Sequence, residues 1–154
     1  MKRLDINKLK DYFNLRDDLI AAYVFGSSAA NRSGSGSDLD IAVLLAENVP
    51  EKDYGFIKEE IITAVVELLS FNEIDLVVLN TASPLLCHEV LKKGVLCFLG
   101  DEEKRIEFTV KATMRYLDTA YLRSVQDRII HERIKRGSFG YFTGSHKYSI
   151  EKVR

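Results

Sequence analysis

The stretch AAYVFGSSAANRSGSGSDLDIAVLLA, residues 21–46, decides the fold. AAYVF at 21–25 is a short β-rich run that stops at Gly26. The loop after it is built from Ser, Gly, Asn and Ala. DLDIAVLLA at 38–46 then predicts a strand, with alternation at its start and a buried apolar run later.

Outward from that pair, the order of elements defines an α/β domain. LDINKLKDYFNLRDDLI at 4–20 places Leu4, Leu9, Tyr12 and Phe13 at near-helical spacing, a short amphipathic helix. Residues 51–70 carry Phe56, Ile57, Ile61, Val65, Leu68 and Leu69 on one helical face. EIDLVVLN at 73–80 is a third strand, 84–93 a helix closed by Gly94 at its C-cap, and VLCFLG at 95–100 a fourth strand. From Asp101 the apolar residues Ile106, Val110, Met114, Leu117, Tyr121, Val125 and Ile129 recur mostly every fourth position. They predict a long C-terminal helix ending near Arg136, roughly 50 Å at 1.5 Å per residue, which must bend back or project with its apolar side offered to another chain. The expected architecture is a small mixed sheet flanked by helices over residues 1–136, with a flexible basic and aromatic tail at 137–154.

A chain of 154 residues suits one domain with a real core. Apolar residues are 46% and charged residues 29%, which excludes disordered and collagen-like classes. The apolar run that starts at Ile41 is six residues, far short of the ~20 a membrane helix needs. Met1-Lys2-Arg3 is not followed by an apolar run, so no cleaved leader and no membrane association are expected. Cys87 and Cys97 stand in apolar settings and are expected as buried free thiols, consistent with a cytoplasmic location. The net charge of -1 excludes a wholly basic nucleic-acid binder, yet residues 123–154 hold eight Lys/Arg against three Asp/Glu. An acidic body with a basic tail points to partner contact, with weak nucleic-acid contact through the tail as a lesser expectation.

Three carboxylates carry the chemistry. Asp38 and Asp40 open the second strand two residues apart, so both point to one face with Cα atoms roughly 6.6 Å apart. Asp75 lies in an otherwise apolar strand; if the two strands are neighbours, all three acids converge. Oxygen-only ligands suit Mg²⁺ or Mn²⁺ rather than zinc, and three carboxylates can hold two ions for an in-line phosphoryl displacement. Gly26-Ser27 adds a tight turn where the backbone can approach a phosphate. The loop is not a Walker A loop, for it lacks Gly-Lys-Ser/Thr, and Gly34 and Gly36 lack the third glycine of the dinucleotide pattern.

Gly26-Ser27, ten residues, then Asp38-Leu39-Asp40, with Asp75 later, resembles the signature of the nucleotidyltransferase superfamily with the DNA polymerase β-like fold. The spacing resembles its minimal nucleotidyltransferase (MNT) members. The resemblance implies that Gly26 and Ser27 hold nucleotide phosphates and that Asp38 and Asp40 bind the metals, with two Mg²⁺ ions expected. It implies that Asp75 completes the metal site and helps deprotonate the acceptor hydroxyl. Where many relatives carry a basic residue and then glycine, this chain has Ala30 and Asn31, which leaves Arg32 as the candidate to grip phosphate.

The size and the long final helix resemble the MNT antitoxins paired with HEPN toxins. That resemblance implies transfer of AMP from ATP to a tyrosine of a HEPN RNase toxin, within a hetero-oligomer. The toxin's own signature, an Arg four to six residues before a His, is not met: Arg123 precedes His131 by eight positions and Arg136 precedes His146 by ten. The alternatives are an antitoxin that acts by docking without catalysis, and an adenylyltransferase of a small molecule such as an aminoglycoside.

Overall fold

A computed structural model describes residues 5–26, 38–69 and 73–137. The elements run α1 (Ile6–Phe13), β1 (Leu19–Phe25), β2 (Leu39–Leu45), a 3-10 turn at Glu51–Asp53, α2 (Tyr54–Leu69), β3 (Ile74–Val78), α3 (Pro84–Lys93), β4 (Val95–Leu99), α4 (Glu102–Asp118) and α5 (Ala120–Lys135). Ser27 and Arg32, the loop around them and the tail from residue 138 lie outside the described residues.

The four strands form one mixed sheet in the order β3-β2-β1-β4. β1 is antiparallel to both β2 and β4, while β2 and β3 are parallel and joined through α2. Alternation sorts the side chains into two layers. Leu39, Ile41, Val43 and Leu45 of β2 pack with Leu9 and Phe13 of α1 and Ile57, Ile61 and Val65 of α2. Ala42 and Leu44 face the other way, toward Cys87 and Val90 of α3 and Ala112 of α4. The register of β1 on β2 slips between Leu19 and Ala21, so Ile20 and Ala21 both join the second layer.

Local chemistry sets the ends. Asp5 caps α1 by accepting from the Asn7 and Lys8 amides at 3.2 and 3.4 Å. Pro84 opens α3 behind Ser83, whose hydroxyl accepts from the Leu86 amide at 3.3 Å. Arg16 ties the turn after α1 to α2: its guanidinium donates to both Asp18 oxygens at 2.9 and 2.6 Å, and to Tyr12 and Glu60 at 3.1 Å each. At the far end of β2, Asn80 extends the ladder with its side chain, accepting from the Leu45 amide at 2.9 Å and donating to the Leu45 carbonyl at 3.0 Å. Cys87 and Cys97 are buried free thiols, as expected.

Two sequence expectations are corrected and a third is met. β1 starts at Leu19 rather than Ala21, because the slipped register lets Leu19 and Ile20 serve opposite layers. Gly94 closes α3 as expected, with an ordinary φ of -69°; glycine is required there because a Cβ would lie 2.5 Å from the Val90 carbonyl. The long C-terminal helix is interrupted at Thr119, whose φ/ψ of -89°/1° lies between α4 and α5. Thr is a poor helix-interior residue whose hydroxyl competes for local hydrogen bonds, and here it accepts from Arg123. The chain divides into two compact units at this point, Met1–Asp118 and Thr119–Arg154.

In the first unit α4 packs through Ala112, while Ile106, Val110, Met114 and Leu117 are exposed. In the second, no residue of α5 is buried, and Tyr121, Leu122, Ile129, Ile130 and Ile134 stand exposed. No helix among the described residues is long and apolar enough to cross a membrane.

Candidate active site

The parallel register of β2 and β3 sets Asp40 directly beside Asp75. Paired residues of neighbouring strands share a face, and Asp40 alternates with Ala42 and Leu44, so both acids stand on the α3/α4 face. Asp38 lies one residue before β2. The three expected acids therefore gather where β2 and β3 begin.

β1 runs the opposite way and ends at the same place. Phe25 pairs with Asp40, and Gly26 follows immediately. Gly26 has a φ of +68°, the left-handed region that favours glycine, and a Cβ there would fall 2.0 Å from Asp40 Oδ2. The glycine is thus needed twice, for the turn and for the approach of the elbow to the carboxylate. Ser27 and Arg32, the other expected nucleotide-binding residues, lie outside the described residues.

The electrostatics match the crowding. Partial burial first, then Asp75 and Asp38, push the Asp40 carboxyl above the usual carboxylate range. A cation placed among the acids would relieve that cost, and an oxygen-only donor set is the kind Mg²⁺ takes. Among the described residues no three His, Cys, Asp or Glu side chains already stand in a ligating arrangement. Asp75 is solvent-exposed, so turning its carboxylate toward Asp40 costs little.

Other candidate groups fall into structural roles. His88 of α3 stacks on Tyr116 of α4 with ring centroids 3.8 Å apart and planes 6° off parallel. His131 sits exposed on α5, its Nδ1 2.8 Å from the Asp127 carbonyl. A concavity of about 470 Å³ runs along α2, lined by residues such as Phe56, Glu60 and Glu67, and it lies on the layer opposite the acids.

Acids at the open ends of two parallel strands, closed by a glycine elbow from a third, describe a nucleotidyltransferase of the polymerase β kind. The comparisons agree. Residues 7–103 match the family model Polymerase beta, Nucleotidyltransferase. The protein adenylyltransferase MntA of Shewanella oneidensis is 30% identical over 119 residues, covering 75% of this chain and 80% of that protein. A solved toxin–antitoxin structure with AMP-PNP superposes with a TM-score of 0.64 at 26% identity, covering 82% of this chain and 99% of the other. The structure of a tri-AMPylated Shewanella oneidensis HEPN toxin in complex with MNT antitoxin gives a TM-score of 0.58 at 26% identity, covering 84% and 99%. The chain belongs to the polymerase β nucleotidyltransferase family, and within it to the MNT antitoxins.

Proposed function

We propose that this chain transfers AMP from ATP to a tyrosine of a partner HEPN RNase toxin and thereby neutralises it. The observation that carries this reading is the side-by-side placement of Asp40 and Asp75, with Asp38 adjacent and the Gly26 elbow closed on Asp40. The relative named MntA is a protein adenylyltransferase, and the solved complexes pair an MNT antitoxin with an AMPylated HEPN toxin and a toxin–antitoxin with an ATP analogue.

In the proposed reaction the tyrosine hydroxyl oxygen attacks the α-phosphorus of ATP. The bond from that phosphorus to the bridging oxygen breaks, and pyrophosphate leaves with the electron pair. Asp75 accepts the hydroxyl proton. Gly26 and Ser27 present the backbone to the phosphates, with Arg32 a further contact. Asp38, Asp40 and Asp75 would hold Mg²⁺, two ions in the fullest arrangement, which neutralises the charge of the triphosphate. Positioning and electrostatics do most of the work, since the chain forms no covalent bond to the nucleotide.

Co-expression with the HEPN partner, followed by intact-mass measurement of the partner, tests the reading. The expected result is a partner carrying one or more AMP units, with none added when Asp38→Asn or Asp40→Asn is present. A partner that stays unmodified yet neutralised by the doubly substituted chain would establish docking alone. ATP-dependent modification of an aminoglycoside instead would assign a small-molecule acceptor. The tail at 137–154, under this proposal, serves partner contact.

A further inference from the structure

The elbow loop has Ala30 and Asn31 where the family pattern has a basic residue and then glycine, so Arg32 is its one cationic side chain and a triphosphate has use for a second cation from elsewhere in the fold. α3 provides it. The crossover from β3 to β4 carries α3 over the same face that bears Asp40 and Asp75. It starts at the far end of β3 and finishes where β4 begins, at the end of the sheet that holds the acids. There Val95 pairs with Val24, one residue before Phe25, which itself faces Asp40. Gly94, just past the last turn of α3, would bring a Cβ to 3.4 Å from the Tyr23 Cβ. The end of α3 therefore stands level with the row Asp75-Asp40-Phe25. At ~4.8 Å per strand it lies roughly 10 Å across the sheet from Asp40.

The faces of α3 fix which lysine is turned to the acids. Cys87 and Val90 point into the sheet, and His88 stacks on α4. With 3.6 residues per turn, Glu89 and Lys93 share the flank turned away from α4, and Lys92 falls on the outward side. A right-handed crossover turns that flank toward the open ends of β2 and β3. Glu89 and Lys93 form an ion pair one turn apart, and the Lys93 ammonium, bonding the Glu89 carboxylate, holds it below the usual carboxylate range.

We propose that Lys93, on the last turn of α3, binds the β- and γ-phosphates of the ATP held at Asp38, Asp40 and Asp75; the inference rests on the nucleotidyltransferase reading above. Glu89 keeps the ammonium on that flank until the triphosphate, the stronger anion, takes it over. Lys92 carries the same charge in the same turn but faces outward.

Calorimetric titration of the full chain with ATP and with AMP, both in Mg²⁺, separates the possibilities. Lys93→Ala is expected to weaken ATP tenfold or more while moving AMP less than twofold, because AMP lacks the phosphates that Lys93 holds. Lys93→Arg is expected to restore most of the ATP affinity, and Lys92→Ala to leave both ligands within twofold of the parent. Equal ATP affinity in Lys93→Ala and the parent would overturn the inference while leaving the nucleotidyltransferase reading intact. So would an equal loss of ATP and AMP, or an equal effect of Lys92→Ala. A parent chain that binds no ATP at all would instead overturn that broader reading.

Discussion

A Cβ at Gly26 would lie 2.0 Å from Asp40 Oδ2. The elbow and the carboxylate therefore occupy one shared space, and neither can be rebuilt without moving the other. Their closeness follows from antiparallel pairing: Phe25 faces Asp40, and Gly26 comes directly after Phe25.

Gly26→Ala is expected to be harmful on two counts. A φ of +68° is costly for alanine, about 1–3 kcal/mol, and the new methyl would displace the Asp40 carboxylate. Thermal unfolding should show the stability loss, and ATP titration a loss of binding. Retention of the parent's ATP affinity would contradict the packing described.

Asp40→Asn separates stability from activity. Burial and the neighbouring acids raise the Asp40 carboxyl, so the folded chain holds that proton more tightly than the unfolded chain. Stability present in acid is then lost as pH rises through the raised folded value. Asp40→Asn removes that loss, and at neutral pH the variant should be as stable as the parent or up to about 1 kcal/mol more stable, the scale of a like-charge cross-strand pair. Transfer of AMP should nevertheless vanish. Melting curves across the carboxylate range check the first point and intact-mass assays the second.

Mg²⁺ should reverse the ranking. A cation among the acids stabilises the state that binds it, so added Mg²⁺ should raise the melting temperature of the parent and chelation should lower it again. Asp40→Asn should respond much less. An equal response in both chains would place the cation elsewhere.

Cys97 should be chemically silent. Burial pushes its thiol up to about 12, and its Sγ lies 3.3 Å from the Ala22 carbonyl. The thiolate is the reactive form, so alkylation at neutral pH should label it only after unfolding. Rapid labelling of the native chain at Cys97 would refute this.

The motif was legible because its parts are short-range. Gly26 and the Asp38/Asp40 doublet need only one turn and one strand: Gly26 follows β1 and Asp40 lies in β2, while Asp38 stands one residue before that strand rather than in it. The convergence of Asp75 needed the further premise that β2 and β3 are neighbours, which a helix-linked parallel pair satisfies. The early start of β1 was hidden because a slipped register defeats simple alternation at Leu19 and Ile20. The interruption at Thr119 was hidden because the four-residue apolar spacing runs through it, while the stop depends on one backbone conformation. The position of Lys93 depends on the path of the crossover, which no local pattern encodes.

Asn80 gives the acid pair a quality of all or nothing. By bonding both backbone groups of Leu45, it pins β3 against β2 at the end remote from Asp40 and Asp75. Side chains alternate every residue, so a slip of one position would swing Asp75 through to the helix layer of α1 and α2. No intermediate alignment leaves the two acids half adjacent. Damage to this lock should therefore yield a mixture of competent and inert molecules, detectable as a lowered fraction of active sites rather than as a uniformly sluggish population.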